Sequence, residues 1–483
     1  MIRFWILAAW AVAAGLGGGC AAECLDTDPR CDVAWPGGRL TVVAPFASSL
    51  VETTDEDATI GIWRGRGDGF VDHGTDWSAD AIEESLVIGV PDADGVFVEP
   101  FGEPGVLGAA PILTGESRFG DIVRAVPQYG KRTLFVGAPG ADLDRGALYR
   151  FPRIAEVLDL DPEGAEPVDD PADPAAPDLV ILGETPNDRL GANVEVCGDI
   201  DGDGWLDLVL GVPNFQARDA CGMADEPPPN LAGAVFVLRS SQLENASGEV
   251  SICDIEADVL WGTEVGEQAG TSVACGPDAI YVGAPWHGQH GDDDQNAGVV
   301  YRVPLTALPA DGPLPTLATS IAGPAAEAGF GFATATLSLS GNSALLVGAP
   351  GYSASPEGAR RGLVELFVEE ETGIRSIAAV AGIADGDQFG RTVLAADLDD
   401  DGADDVVLGS PDVVIDGSLD VGRLWLWTSD AVITWSGEID RGSAEQVIEG
   451  THGFQRVGRK LSRTTVQERS VLLVPTRAVP ATR

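Results

Sequence analysis

Leu190-Gly-Ala-Asn-Val-Glu-Val-Cys-Gly-Asp-Ile-Asp-Gly-Asp-Gly-Trp-Leu-Asp-Leu-Val-Leu-Gly-Val-Pro213 is the stretch on which the fold turns. Two short apolar runs flank a loop of Asp and Gly. Short runs rich in β-branched residues, bounded by Gly, Pro and Asp, read as strands joined by a tight turn. The ending of the stretch, three or four apolar residues followed by Gly, a small or apolar residue and Pro, recurs along the chain. It appears at Leu86 to Pro91, Leu134 to Pro139, Ile280 to Pro285, Leu345 to Pro350 and Val406 to Pro411. The glycines, Gly89, Gly137, Gly211, Gly283, Gly348 and Gly409, lie 48, 74, 72, 65 and 61 residues apart. A weaker copy, Val471 to Pro475, sits near the C-terminus. Such a period marks a repeat architecture, in which no unit can bury its apolar surface alone.

Two further phrases accompany it. Upstream of most copies stands Phe119-Gly120, Phe330-Gly331 or Phe389-Gly390, with looser forms at Leu190-Gly191, Ala269-Gly270 and Val457-Gly458. Downstream stands a Gly followed by apolar residues, as in Gly233-Ala-Val-Phe-Val and Gly298-Val-Val-Tyr. No long stretch has helical periodicity, so the chain reads as almost wholly β. Three or four strands cannot cover both of their own faces, and radial stacking of such sheets solves this while leaving only short edges.

These phrases resemble the FG-GAP repeats of integrin α-subunit heads and their bacterial relatives, over roughly residues 86 to 475. The resemblance implies one β-propeller blade per repeat, commonly seven in all. Six full repeats and the weaker C-terminal one give a seven-bladed β-propeller. The N-terminal strands Leu40 to Pro45 and Thr59 to Trp63 have no Phe-Gly partner, and the C-terminal unit lacks a closing strand. The two ends are therefore expected to pair and close the ring. Eight blades is the alternative, with residues 40–64 as a blade of their own.

Two repeats carry an acidic loop between the Phe-Gly and Gly-x-Pro phrases. One is Asp199, Asp201, Asp203 and Asp207; the other is Asp397, Asp399, Asp401 and Asp405. Both set carboxylates at positions 1, 3, 5 and 9 with Gly at 6, and the carbonyls of Trp205 and Ala403 stand at 7. Alternation turns three carboxylates toward one centre, the chemistry of a hard cation that takes 6–8 oxygens. Calcium is the expected ion, at two sites. An EF-hand is excluded, because that motif needs Glu at position 12, where Leu210 and Leu408 stand. The loops also lengthen their repeats. The two glycines are 20 and 19 residues apart with the loop, and 17, 13 and 17 without it. Asp76, Ser78, Asp80 and Glu84 repeat the spacing in a weaker third candidate.

Residues 1–19 read as an export signal, with Arg3 ahead of an apolar run too short to span a bilayer. The run ends at Gly17-Gly-Gly-Cys20, which resembles a bacterial lipoprotein box with Cys20 as the acylated residue. Residues 20–38 are then a tether and 39–483 the propeller, with a Pro/Ala/Asp-rich insertion at 156–178. Six other cysteines suit disulfides in an oxidising compartment. Cys24 and Cys31 form a local pair, and Cys197, Cys221, Cys253 and Cys275 a second set whose pairing the sequence leaves open.

The chain has 483 residues, with 29 Lys+Arg against 76 Asp+Glu, so a net charge of −47 excludes nucleic acid as a partner by repulsion of phosphate. Hydrophobic residues at 44% are too many for a disordered acidic chain. His287 and His290, beside Asp292, Asp293 and Asp294, could hold a transition metal but read as a solvated loop, and Arg66-Gly67-Asp68 reads as a chance match. There is no H-E-x-x-H and no G-x-S-x-G. The expected protein is a calcium-stabilised, non-catalytic binding or adhesion module of the bacterial envelope, exported and lipid-anchored, with a protein or glycan partner. The alternatives are an extracytoplasmic propeller lyase or hydrolase acting on polysaccharide, and a scaffold subunit of an envelope complex.

Overall fold

A computed structural model describes the strands within residues 30–100, with Pro91 and Asp94, and most of residues 113–474. From 113 onward it leaves out 116, 129–130, 155–175, 217–220, 222–227, 289–294, 340, 356–357, 371–372, 399–400, 451–455 and 467–468. The leader, Cys20, Cys24 and most of the 156–178 insertion lie outside the described residues.

The fold is all-β. Six four-stranded meanders follow one another in chain order. The first holds Ser78–Ile82, Ser85–Val90, Gly95–Pro100 and Leu113–Thr114. The second holds Ile122–Gln128, Lys131–Ala138, Ala147–Phe151 and Leu179–Leu182. The third holds Asn193–Cys197, Asp207–Val212, Ala234–Leu238 and Asp258–Trp261. The fourth holds Ser272–Cys275, Ala279–Ala284, Val299–Pro304 and Thr319–Ala322. The fifth holds Ala333–Leu339, Asn342–Ala349, Leu363–Glu370 and Gly373–Ala381, and the sixth Thr392–Ala396, Asp405–Ser410, Arg423–Trp427 and Gln446–Glu449. Each is a propeller blade whose second strand is the apolar run of a Gly-x-Pro phrase.

Among the described residues the blade count is six, which corrects the expected seven and the alternative of eight. The two ends of the chain do pair, since Gly38–Pro45 lies beside Arg469–Leu473. The sheet they form is not a seventh blade of the same build. Gly38–Pro45 runs parallel both to Arg469–Leu473 and to Ile60–Trp63, where the neighbouring strands of a meander alternate in direction. The strands described within the expected blade at 40–64, Gly38–Pro45 and Ile60–Trp63, join the C-terminal hairpin Ser462–Val466 and Arg469–Leu473 instead. Arg30–Cys31 and Val33–Trp35, inside the stretch expected to be a tether, are short strands.

The chain divides into two compact units. One centres on the first four blades, between residues 76 and 334, and the other on the last two blades and the terminal sheet. Within each unit the repeated glycines lock blade to blade. A Cβ on Gly137 would overlap the carbonyl oxygen of Gly191, the Phe-Gly glycine of the next blade. The same abutment recurs at Gly89 with Gly120, Gly211 with Gly270, Gly283 with Gly331 and Gly409 with Gly458. The Phe-Gly glycine also donates its N–H to the Gly-x-Pro carbonyl of its own blade, at 3.0 Å for Gly120 to Gly137, Gly270 to Gly283 and Gly390 to Gly409. A third contact joins Gly233 to Ala269, Gly298 to Phe330 and Gly362 to Phe389 as isolated bridges. The three sequence phrases thus all lie where consecutive blades touch. The buried aromatic rings Phe119, Phe330 and Phe389 anchor that joint.

Three outer strands were not legible in the sequence. Gly248–Ser251, Gly312–Pro313 and Gly437–Ile439 add in parallel to the outer strands of the second, third and fifth blades. Each arises from the connection after the third strand of the following blade. Arg150 fastens the first of these connections, bonding Asp178 at 2.7 Å and the carbonyls of Ala246 and Leu243.

Candidate functional site

In the third blade the acidic loop joins the first and second strands. Asp199 gathers it by accepting N–H bonds from Gly202 at 2.7 Å, Asp203 at 2.9 Å and Gly204 at 2.7 Å. Gly202 and Gly204 have φ of +81° and +92°, the left-handed region that closes so tight a turn around one carboxylate. Asp203 accepts from Trp205 N–H at 2.8 Å. The carboxylate oxygens of Asp199, Asp201 and Asp207 converge to within 4.8 Å of one another.

The sixth blade repeats the arrangement. Asp397 accepts from Asp401 N–H at 3.1 Å and Gly402 N–H at 2.9 Å, and Asp401 accepts from Ala403 N–H at 2.8 Å. Asp399 lies outside the described residues. The two loops, one in each compact unit, therefore share a single construction at positions 1 and 5.

Position 9 does more than offer an oxygen. Asp207 is fully buried, and accepts from Ile200 N–H at 2.7 Å and Ser240 N–H at 2.8 Å. Asp405, also fully buried, accepts from Leu398 N–H at 2.9 Å and Ser429 N–H at 2.8 Å. Each carboxylate ties the start of its loop to the connection after the third strand. Burial pushes the Asp207 carboxyl above its usual range, with Asp201 and Asp203 adding to the rise, against the pull of its two N–H donors. A cation among these carboxylates would oppose that rise.

Ser240 and Ser429 were missed by reading the sequence. Their hydroxyls donate to position 5 of each loop, Ser240 to Asp203 at 2.7 Å and Ser429 to Asp401 at 3.1 Å. The signal was present but remote: each Ser follows its blade's third strand, 33 and 24 residues beyond the Asp that its N–H reaches. Every carboxylate named here keeps acceptor capacity beside its N–H bonds, since each oxygen carries two lone pairs. An all-oxygen donor set of this kind fits a hard divalent ion.

The third candidate is different. Ser78 and Asp80 lie on a strand and not in a loop, with Ser78 donating to the Gly120 carbonyl at 3.1 Å and Asp80 accepting from Ala125 N–H at 2.8 Å. Both bind the next blade; Asp76 and Glu84 lie outside the described residues.

The middle cysteines pair as Cys197–Cys275 and Cys221–Cys253. The first joins the strand that enters the acidic loop to the first strand of the fourth blade. Disulfides place the protein in an oxidising, exported setting. Among the described residues no helix is long and apolar enough to cross a membrane. Cys24 lies outside the described residues, as do His290 and Asp292 to Asp294.

No curated protein matches the chain. Among solved structures it is similar to the Kuenenia stuttgartiensis hydrazine synthase, with 10% identity and a TM-score of 0.43, over 76% of this chain and 80% of that one. Residues 191–238, which span the first three strands of the third blade and its acidic loop, match the family model for the FG-GAP repeat. That segment is an FG-GAP repeat, set in an all-β chain built of β-propeller blades.

Proposed function

We propose that this chain is a calcium-stabilised, non-catalytic binding or adhesion module of the bacterial envelope. The observation that carries the reading is the matched pair of acidic loops, built alike at positions 1, 5 and 9 in two different blades. Bound there, calcium would supply a fixed positive charge to a chain whose net charge is −47. Asp199 and Asp397 would hold the ion and shape the turn. Asp203 and Asp401 would hold the ion while gripping the serines, and Asp207 and Asp405 would brace the loop from below. Trp205 and Ala403 would add their carbonyls.

Calorimetric titration of the calcium-free protein tests the metal reading, with two equivalents bound as the expected result. The binding reading is tested by retention on immobilised envelope polysaccharide or protein, compared with and without chelator. Calcium-dependent retention supports it, whereas turnover of the polysaccharide would replace it with the enzymatic alternative. Export with an acylated Cys20 follows from the same reading. Metabolic labelling with a fatty-acid probe should mark the full chain and not its Cys20→Ala variant.

A further inference from the structure

The fourth blade departs from its neighbours at two places that meet. Four residues after the Gly-x-Pro glycine, the second, third, fifth and sixth blades place Ala141, Phe215, Tyr352 and Val413. Ala141, Phe215 and Val413 are buried. The fourth blade places His287 there, in the same turn, since the carbonyls of Phe215, His287 and Tyr352 all accept from the glycine that opens the third strand. Three residues before the Phe-Gly glycine, the third and sixth blades place Asp188 and Asp387, which cap the preceding turn. The fourth blade places Glu267, one carbon longer and fully buried.

That extra carbon separates two jobs. Glu267 Oε1 still caps the turn, accepting from Thr263 N–H at 2.7 Å. Its Oε2 reaches His287 Nδ1 at 2.6 Å and accepts from the Tyr301 hydroxyl at 3.3 Å. Glu264 divides its oxygens the same way. Its Oε2 accepts from Gly288 N–H at 2.8 Å, and its Oε1 stands 3.6 Å from His287 Nε2. Each carboxylate is held by a backbone N–H through one oxygen and turns the other toward the imidazole.

We propose that Glu264, Glu267 and His287 form a binding site for a divalent transition-metal cation of the zinc type, distinct from the calcium loops. One donor atom from each lies within 4.8 Å of the other two. Donors around a tetrahedral zinc stand about 3.3 Å apart; Glu267 and Glu264 face different ring nitrogens of His287, so closing on the ion moves one carboxylate from the nitrogen it faces toward the nitrogen that ligates. Two carboxylates against one imidazole leave the cluster net negative in either protonation state of the histidine. One nitrogen with two oxygens suits a borderline ion and not calcium, which takes oxygen alone. His287 and Glu264 are 31% and 38% exposed, which leaves a path for entry and room for a water as fourth ligand. The Tyr301 hydroxyl donates to Glu267, the outer hydrogen bond that supports a metal-bound carboxylate.

The test uses the full chain freed of metal, with calcium then added to saturation so that the acidic loops are filled. Zinc is titrated calorimetrically, and Co2+ serves as an optical probe of tetrahedral N/O coordination. The expected result is one equivalent of zinc, with affinity lowered at least tenfold by Glu264→Gln and by His287→Phe. His287→Phe restores the apolar residue of the third blade, and Glu264→Gln retains the acceptor for Gly288, so each variant checks the other should one fail to fold. Zinc binding that is absent, or that survives both variants, overturns the proposal. So does binding that is lost in Asp199→Asn or Asp397→Asn, since the ion would then sit in the acidic loops.

Discussion

At the scale of single residues, the glycines carry the joints between blades, and two substitutions separate their roles. Gly137 has no room for a side chain against Gly191, so Gly137→Ala should cost about 1–3 kcal/mol, read from the urea midpoint. Gly202 faces open space and is constrained only by its φ of +81°. Gly202→Ala should therefore cost about 1–2 kcal/mol and weaken calcium binding as well, which Gly137→Ala should not. Asp188 carries a different burden. Burial is the largest cause raising its pKa above the ordinary 3.8, although Thr185 and Glu184 donate to it. The folded protein thus keeps this proton to a higher pH than the unfolded chain does. Its contribution to stability falls as pH rises from about 3.8 through the raised folded value. Asn can accept the same N–H bonds, so Asp188→Asn should flatten that part of the stability profile without lowering stability at pH 7. A profile unchanged from wild type would contradict this account.

At the scale of elements, the strands and their joints were legible because the three phrases are short and local. Val-Leu-Gly-Val-Pro213 announces both an inner strand and the glycine that the next blade touches. The acidic loops were legible for the same reason, since position 1 gathers N–H groups within five residues of itself. What escaped was non-local. Ser240 and Ser429 reach their loops across a third strand, and the parallel outer strand Gly248–Ser251 joins a blade whose own strands ended at Leu182. The Glu267–His287 contact likewise joins residues 20 apart, whose meaning appears only when blades are compared position by position. The Cys197–Cys275 bridge could not be chosen from spacing, but its effect follows from it. It closes a chain segment of 78 residues, so Cys275→Ser should cost about 4 kcal/mol in the chain-entropy account. Denaturant midpoints measured with and without reductant check this; coincident midpoints would contradict it.

At the scale of the whole molecule, the number of blades was the point at which the sequence misled. Counting phrases gave seven, because Val471 to Pro475 carries the apolar run and the proline of a repeat. Phrase counting registers apolar runs but not strand direction. It is direction that distinguishes the terminal sheet, where Gly38–Pro45 runs parallel to both neighbours. The acidity also takes a more definite meaning at this scale. Of the 76 carboxylates, the pairs Asp199 and Asp397, Asp203 and Asp401, and Asp207 and Asp405 accept backbone N–H bonds in the same pattern, one loop in each compact unit. The protein should therefore respond to calcium in both units, and a change to one loop should affect one unit only.

Calorimetric melting of the full chain in chelator and in excess calcium tests that claim most directly. Ligand at a hundredfold excess over its dissociation constant adds about 2.7 kcal/mol per site, which for a unit of this size raises Tm by about 5–10 °C. The account predicts that rise for wild type and its loss from one unit in Asp199→Asn. Superimposable melting curves with and without calcium would contradict it.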